Sequence, residues 1–301
     1  MPNIKNNIDV RLPSGTEMGP PTLRVKDLHK QLRFYENGLG LQVNCRHQTD
    51  DNLETVDLGF KGKFSDFREP LLVLKHDPDA KQTSYNFAGL YHFAILVPDR
   101  KSLASAYLGM ENTSLHFDGF ADHLVSESLY LHDPEGNGIE IYSDKPRKEW
   151  QRDPEGHIVM DTLQLELESL LSELKDDERK NIVFPNGARI GHMHLRVTNL
   201  EKSLRFYQRL GFVITSDWSK MGASFLAAGD YHHHVGLNTW HSLGGKNHLK
   251  DEEGLEVFEI IVPDNSFIET LGRKLEDHVL QSSQKGLLLS DPDGILISIK
   301  S

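Results

Sequence analysis

The strongest constraint on this chain is that part of it is written twice. The stretch TLRVKDLHKQLRFYENGLGLQV, from Thr22, returns as HLRVTNLEKSLRFYQRLGFVI, from His194, with one extra residue before Leu39 in the first copy. A shared LRV, a shared LRFY and a closing LG mark a duplication, and a repeat of this kind bounds the architecture before any other signal. In each copy a short strand runs into Asp27 or Asn199, both good helix N-caps. Leu28, Leu32 and Tyr35, or Leu200, Leu204 and Tyr207, then recur at helical spacing, and Gly40 or Gly211 ends the helix. Strand-like segments follow, PLLVLKH from Pro70 and HHHVGLNTW from His232.

Two fainter copies share the opening. YHFAILVPDRKSLASAY, from Tyr91, and LEVFEIIVPDNSFIETL, from Leu255, each read as strand, Val-Pro-Asp turn, helix. Both finish in two apolar strands joined by a DPxG turn, Asp133–Gly136 in one and Asp291–Gly294 in the other. The expected fold class is therefore α+β, with four βαβββ modules at residues 19–76, 88–144, 188–241 and 254–301. Residues 145–187 form a linker, too long for a simple turn, with a helix expected around Asp161 to Leu174 and a third DPxG turn, DPEG, at Asp153–Gly156.

Composition removes several functions. A formal net charge of -12 argues against a nucleic-acid partner, which requires a basic face. No apolar run approaches the roughly 20 residues that span a bilayer, and no charged-then-apolar leader is present. One cysteine, Cys45, excludes an internal disulfide framework and suits a reducing, cytoplasmic setting. A small-molecule partner is the expectation, and the sequence leaves room for a homo-oligomer.

Several of the 16 histidines fall inside strands. Aligned on their terminal valines, Val25, Val97, Val197 and Val262, the four first strands carry Pro20, His92, His192 and Val257 five residues earlier. Strand alternation puts His92 opposite the packing residues Phe93, Ile95 and Val97. It likewise puts His192 and His194 opposite Met193, Leu195 and Val197. Seven residues after the Asp of each DPxG turn stand Glu140, Met160 and Ser298. Singly, a strand histidine is more often a packing residue than a ligand, and Glu140 is as well explained by a solvated edge. Jointly, His92, Glu140 and His192 are two imidazoles and one carboxylate expected on concave sheet faces, the facial set that leaves positions open on non-haem iron(II).

With these residues in view the chain resembles the vicinal oxygen chelate superfamily, whose βαβββ modules pair into half-barrel sheets. More narrowly it is similar to bacterial four-module catechol 2,3-dioxygenases, most of all over DHLVSESLYLHDPEGNGIEIY, Asp122 to Tyr142. The resemblance implies His92 and Glu140 as ligands, His123 as a nearby acid or base, and Tyr130 as a hydrogen-bond donor beside the substrate. In many such enzymes the third and fourth modules hold the iron. Here the fourth offers Val257 and Ser298 and the first offers Pro20, so a complete site requires the second module to pair with the third and the first with the fourth.

Of the remaining histidines, His194 and His234 share the parity of His192 and are expected to reach the substrate pocket. His232, His233, His241 and His248 read as surface residues near the mouth, and Asn238 and Trp240 as caps of the pocket. The leading expectation is ring cleavage of a small aromatic diol by O2 at Fe(2+). Its rivals are a glyoxalase-like isomerase or transferase using Mn(2+), Zn(2+) or Ni(2+), and a non-catalytic binding protein of the same superfamily.

Overall fold

Each repeat forms a strand, a helix and three further strands. In the second these are Gly89–Leu96, Arg100–Asn112, Gly119–Asp122, Ser126–His132 and Gly138–Asp144. In the third they are Arg189–Arg196, Leu200–Leu210, Val213–Trp218, Ala223–Ala227 and Val235–Asn238. The first repeat opens with Thr22–Val25 and ends with Leu72–His76; the fourth opens with Gly254–Ile261 and ends with Leu296–Lys300. The computed structural model describes residues 10–60, 70–84, 86–180, 185, 187–283 and 286–301. Residues 61–69 of the first repeat, and 181–184 and 186 of the linker, lie outside the described residues.

Two curled sheets result, and neither joins the first repeat to the second or the third to the fourth. Strand Gly89–Leu96 pairs antiparallel with Arg189–Arg196, which merges the second and third repeats. Thr22–Val25 pairs antiparallel with Gly254–Ile261, which merges the first and fourth. One face of each sheet packs on helices: Phe93, Ile95 and Val97, with Met193, Leu195 and Val197, are buried in the main apolar core. The opposite, concave face of the second and third repeats carries the polar row beginning with His92 and His192. Among the described residues no helix is long and apolar enough to cross a membrane.

The extra residue of the first repeat has a visible consequence. Its helix runs as an α-helix only over Leu28–Arg33 and then widens into a π-helical turn over Phe34–Gly38. A single insertion is absorbed by such a turn without displacing the strands on either side. In the third repeat the uninterrupted helix ends on Gly211 with φ 113°, a left-handed conformation natural to glycine. Asp27 and Asn199 cap their helices by accepting the amides of Lys30 and Lys202.

The linker departs from the expected helix. Leu163–Gln164 extends the edge of the sheet by pairing with Asp122 and Ala121, and only Leu167–Leu171 is α-helical. An open strand edge at Gly119–Asp122 and buried Leu165 and Leu170 hold this segment across the sheet rather than along its own axis.

Candidate metal centre and its cavity

Strand pairing brings the two repeated histidines to one point. In the antiparallel register Ala94 lies opposite His192 and His92 opposite His194. In the parallel pairing of the same strand with Gly138–Asp144, Ala94 lies beside Glu140. Alanine at the centre leaves room for three longer side chains to converge over it. His92 Nε2 stands 2.9 Å from Glu140 Oε2, His192 Nε2 stands 3.1 Å from the same oxygen, and the two imidazole nitrogens are 3.3 Å apart. All three side chains are buried.

These spacings suit a cation. Three neighbouring ligand atoms around an octahedral ion, each about 2.1 Å from it, lie about 3.0 Å from one another. The protonation states also suit one. Burial works to raise the Glu140 carboxyl, but His192 and His92 outweigh it and hold the group well below the usual carboxylate range. Burial lowers His192 to about 4 against the pull of Glu140. Ionised carboxylate and neutral imidazole are the ligating forms. Ser128 donates to Glu140 Oε1 at 2.6 Å and so orients the carboxylate. The donor set fits a divalent ion of the iron(II) class, with the open side facing a cavity.

That cavity has a volume of about 640 Å³. On one wall His123 Nε2 lies 2.7 Å from the Tyr130 hydroxyl, while His123 Nδ1 lies 2.7 Å from the carbonyl of Asp161. A carbonyl can only accept, so Nδ1 carries the proton and the Tyr130 hydroxyl donates to Nε2. Burial, then the charge of Glu140, pushes the Tyr130 phenol well above its usual value, which keeps it protonated. His194 also lines the cavity. Asn238 accepts the Trp240 amide through Oδ1, which turns its Nδ2 toward His194 Nε2 at 3.1 Å and leaves the imidazole proton on Nδ1.

Three sequence-based expectations change. His234 does not line the cavity; its Nδ1 accepts the Ala228 amide and its ring packs against Tyr231 and Phe212. The regular strand starts only at Val235, so alternation does not extend back to residue 234. His233 lines the cavity instead, with its ring 4.1 Å from that of His192. His232 and His233 are buried rather than superficial. His232 Nε2 donates to Asp144 at 2.9 Å, so its Nδ1 accepts from His233 Nδ1 at 2.7 Å, which leaves His233 with an unprotonated Nε2.

Tyr91 is the other residue that the strand period hides. By alternation it belongs on the packing face, yet it lines the cavity together with His92. The register shifts by one residue at this point, between the pairs His92/His194 and Leu90/Leu195, and a bulge puts successive side chains on one side. His241, His248 and Trp240 also line the cavity.

Comparison with known proteins agrees with this architecture. Residues 18–141 and 189–299 match the model of the Glyoxalase/Bleomycin resistance protein/Dioxygenase superfamily. The chain belongs to this superfamily. A catechol-2,3-dioxygenase of Bacillus subtilis (strain 168) is 36% identical over 281 residues, covering 92% of this chain and 94% of that protein. Kinship at that level places the chain with the dioxygenases of the superfamily. Among solved structures, a putative dioxygenase of Bacillus subtilis superposes with a TM-score of 0.63 at 13% identity, covering 97% of this chain and 86% of that one. Glyoxalase I of Zea mays superposes with a TM-score of 0.58 at 16% identity, covering 95% and 92%. At such identities the structural likeness concerns the superfamily fold alone.

Proposed function

We propose that the protein is an iron(II)-dependent extradiol dioxygenase that opens the ring of catechol-type substrates with O2. The observation that carries this reading is the convergence of His92, His192 and Glu140 at 2.9 to 3.3 Å beneath a cavity in the size range of small-molecule sites. Iron(II) held by these residues would supply a redox-active centre at which diol and O2 can meet in one coordination shell.

The chain's own groups perform the proton chemistry. A diol hydroxyl that donates to the Tyr130 oxygen can pass its proton on to His123 Nε2, because Tyr130 already donates there. His123 keeps its other proton on the Asp161 carbonyl and is thereby fixed in the accepting tautomer. Trp240, Tyr91 and Phe225 provide ring faces and edges that orient an aromatic ring and exclude water.

The glyoxalase-like alternative is less well supported by the third repeat. Its position corresponding to Glu140 is Gly236, opposite His194, and a Cβ there would meet the His194 ring at 3.0 Å. The site therefore has no second carboxylate in that place. The experiment is direct: iron(II)-loaded protein given catechol should consume O2 and form a yellow ring-fission product. Protein with full iron that leaves catechol and O2 untouched would overturn the proposal.

A further inference from the structure

The internal duplication allows the two half-barrels to be compared position by position. Gly89 pairs with Arg196 in one, and Gly254 pairs with Arg24 in the other. In both, the strand opposite the arginine bulges two residues later, at Tyr91 and at Glu256. Arg24 and Arg196 thus stand at the same place, each at the end of a concave row that starts four residues earlier at Pro20 or His192.

Their surroundings differ in kind. Arg24 is buried and its Nε lies 2.8 Å from Glu256, while Nη1 reaches Asp77. Lys75, paired with Arg24 across the parallel strands, also contacts Glu256, at 3.1 Å. Around Arg196 the corresponding positions are Tyr91 for Glu256, Asn238 for Lys75, and Trp240 for Asp77, each counted from the strand register. The rings of Tyr91 and Trp240 lie edge to face at 5.4 Å, and both line the cavity with Arg196. One half-barrel surrounds its arginine with its own carboxylates; the other puts aromatic rings in those places and turns the same position to the ligand space.

A second observation marks this end of the cavity. His248 lines it as a neutral imidazole: burial lowers it, against the charge of Glu256 and a backbone hydrogen bond to Leu255, so Arg196 is the cationic group here. Besides Glu140, three carboxylates share the lining. Glu135 is held by the amides of Lys26 and Asp27, and Asp118 by His132. Burial, then the charge of Glu135, raises the Glu253 carboxyl, the reverse of what a guanidinium neighbour does.

We propose that Arg196 forms an anion-binding subsite, and that the substrates are catechols whose ring bears a carboxylate-ended side chain. A guanidinium has five donors, so it takes a ligand carboxylate alongside whatever neighbours it keeps. Four residues of strand between His192 and Arg196 amount to about 13 Å. A ring bound at the metal end covers only part of that span, so the acid sits on a side chain of two or three carbons rather than directly on the ring. This inference rests on the catechol dioxygenase reading and names its substrate class.

The test compares 3-(2,3-dihydroxyphenyl)propionate with 3-propylcatechol, equal in reach and different in charge. Binding is measured by tryptophan fluorescence on iron(II)-loaded full-length protein under nitrogen. The acid should bind about tenfold tighter or more, as expected for a charge-assisted contact. The preference should vanish in Arg196→Met and Arg196→Gln, persist in part in Arg196→Lys, and shrink with salt. Equal affinity of the two catechols in the wild type, no binding of either, or a preference that survives loss of the guanidinium would overturn the subsite. Admitting air separates the two proposals. A tight acid preference without ring cleavage sinks the dioxygenase reading alone, and cleavage of both compounds with equal kcat/KM sinks the subsite alone.

Discussion

The hydroxyl of Tyr35, in the first repeat, donates to the carboxylate of Asp133, in the second, over 3.0 Å in a buried setting. The duplication reproduces the contact: Tyr207 of the third repeat donates to Asp291 of the fourth at 3.2 Å. The tyrosine of LRFY and the first residue of DPxG are therefore partners. Strand pairing joins the second repeat to the third and the first to the fourth, whereas these hydrogen bonds join the first to the second and the third to the fourth. Glu135, in the same turn, adds to the clasp by accepting the amides of Lys26 and Asp27. Replacing Tyr35 with Phe should cost about 1 to 3 kcal/mol, since it leaves part of a buried carboxyl unpaired. Urea denaturation reads this as a lower midpoint at unchanged slope. An unchanged midpoint would show that the contact is inert.

The equivalent carboxyl in the fourth repeat titrates in an accessible range. Burial, then repulsion from Asp293, raises Asp291 to about 7 from an ordinary 3.8. A carboxyl whose folded value is raised contributes stability that is complete below its unfolded value and is lost as pH rises through the folded value. The window here runs from about 4 to about 7, and the loss is of the order of a few kcal/mol. Asp291→Asn keeps an acceptor for the amides of Asp293 and Ile295 but cannot ionise. Its unfolding free energy should fall less between pH 5 and pH 7.5 than that of the wild type. Parallel pH profiles for the two proteins would exclude Asp291 as the source.

Much of this organisation can be read from the sequence because it follows from strict periods. The duplication announces the repeats, alternation places His92, His192 and Glu140 on faces away from the apolar core, and the missing ligands at Pro20, Val257 and Ser298 point to the pairing of the second and third repeats. What escapes reading breaks the period. Tyr91 reaches the cavity only through a bulge, and His233 replaces His234 there because the strand begins one residue after the latter. His232 is buried by Asp144, 88 residues away, a contact that no local pattern announces. The linker is shaped by the sheet edge it covers, so its apolar residues do not betray their conformation.

Gly191 shows how closely the metal end is packed. A Cβ there would stand 1.8 Å from the Tyr142 hydroxyl, which is buried and hydrogen-bonded to Tyr231 at 2.8 Å. The aromatic ring of Tyr142 in turn lies 5.0 Å from that of His192. Gly191→Ala should therefore cost about 1 to 3 kcal/mol through overpacking and should weaken metal retention by displacing His192. Thermal unfolding and metal titration check the two effects separately. Wild-type behaviour in both would mean that Tyr142 can move away freely.

Tyr130→Phe isolates the proton path. The variant keeps the ring in the wall but breaks the link from substrate to His123, so kcat should fall about a hundredfold. KM should change little, because the metal end still holds the diol. Loss in KM alone, with kcat preserved, would assign Tyr130 to binding and remove it from the proton path.

Glu140→Gln tests the centre itself. The amide can still meet Ser128 and fill the same volume, so the sheet has no packing reason to unfold. What disappears is the negative charge that two neutral imidazoles need in order to hold a divalent ion in a buried site. The variant should retain its circular dichroism spectrum and lose both bound iron, measured by elemental analysis, and catechol turnover. Without the carboxylate His192 should also become harder to protonate, because Glu140 is the group that raises it against burial. A Glu140→Gln variant that keeps one iron per chain and full turnover would move the metal away from this triad, and with it the reason for reading the cavity as a ring-cleaving site.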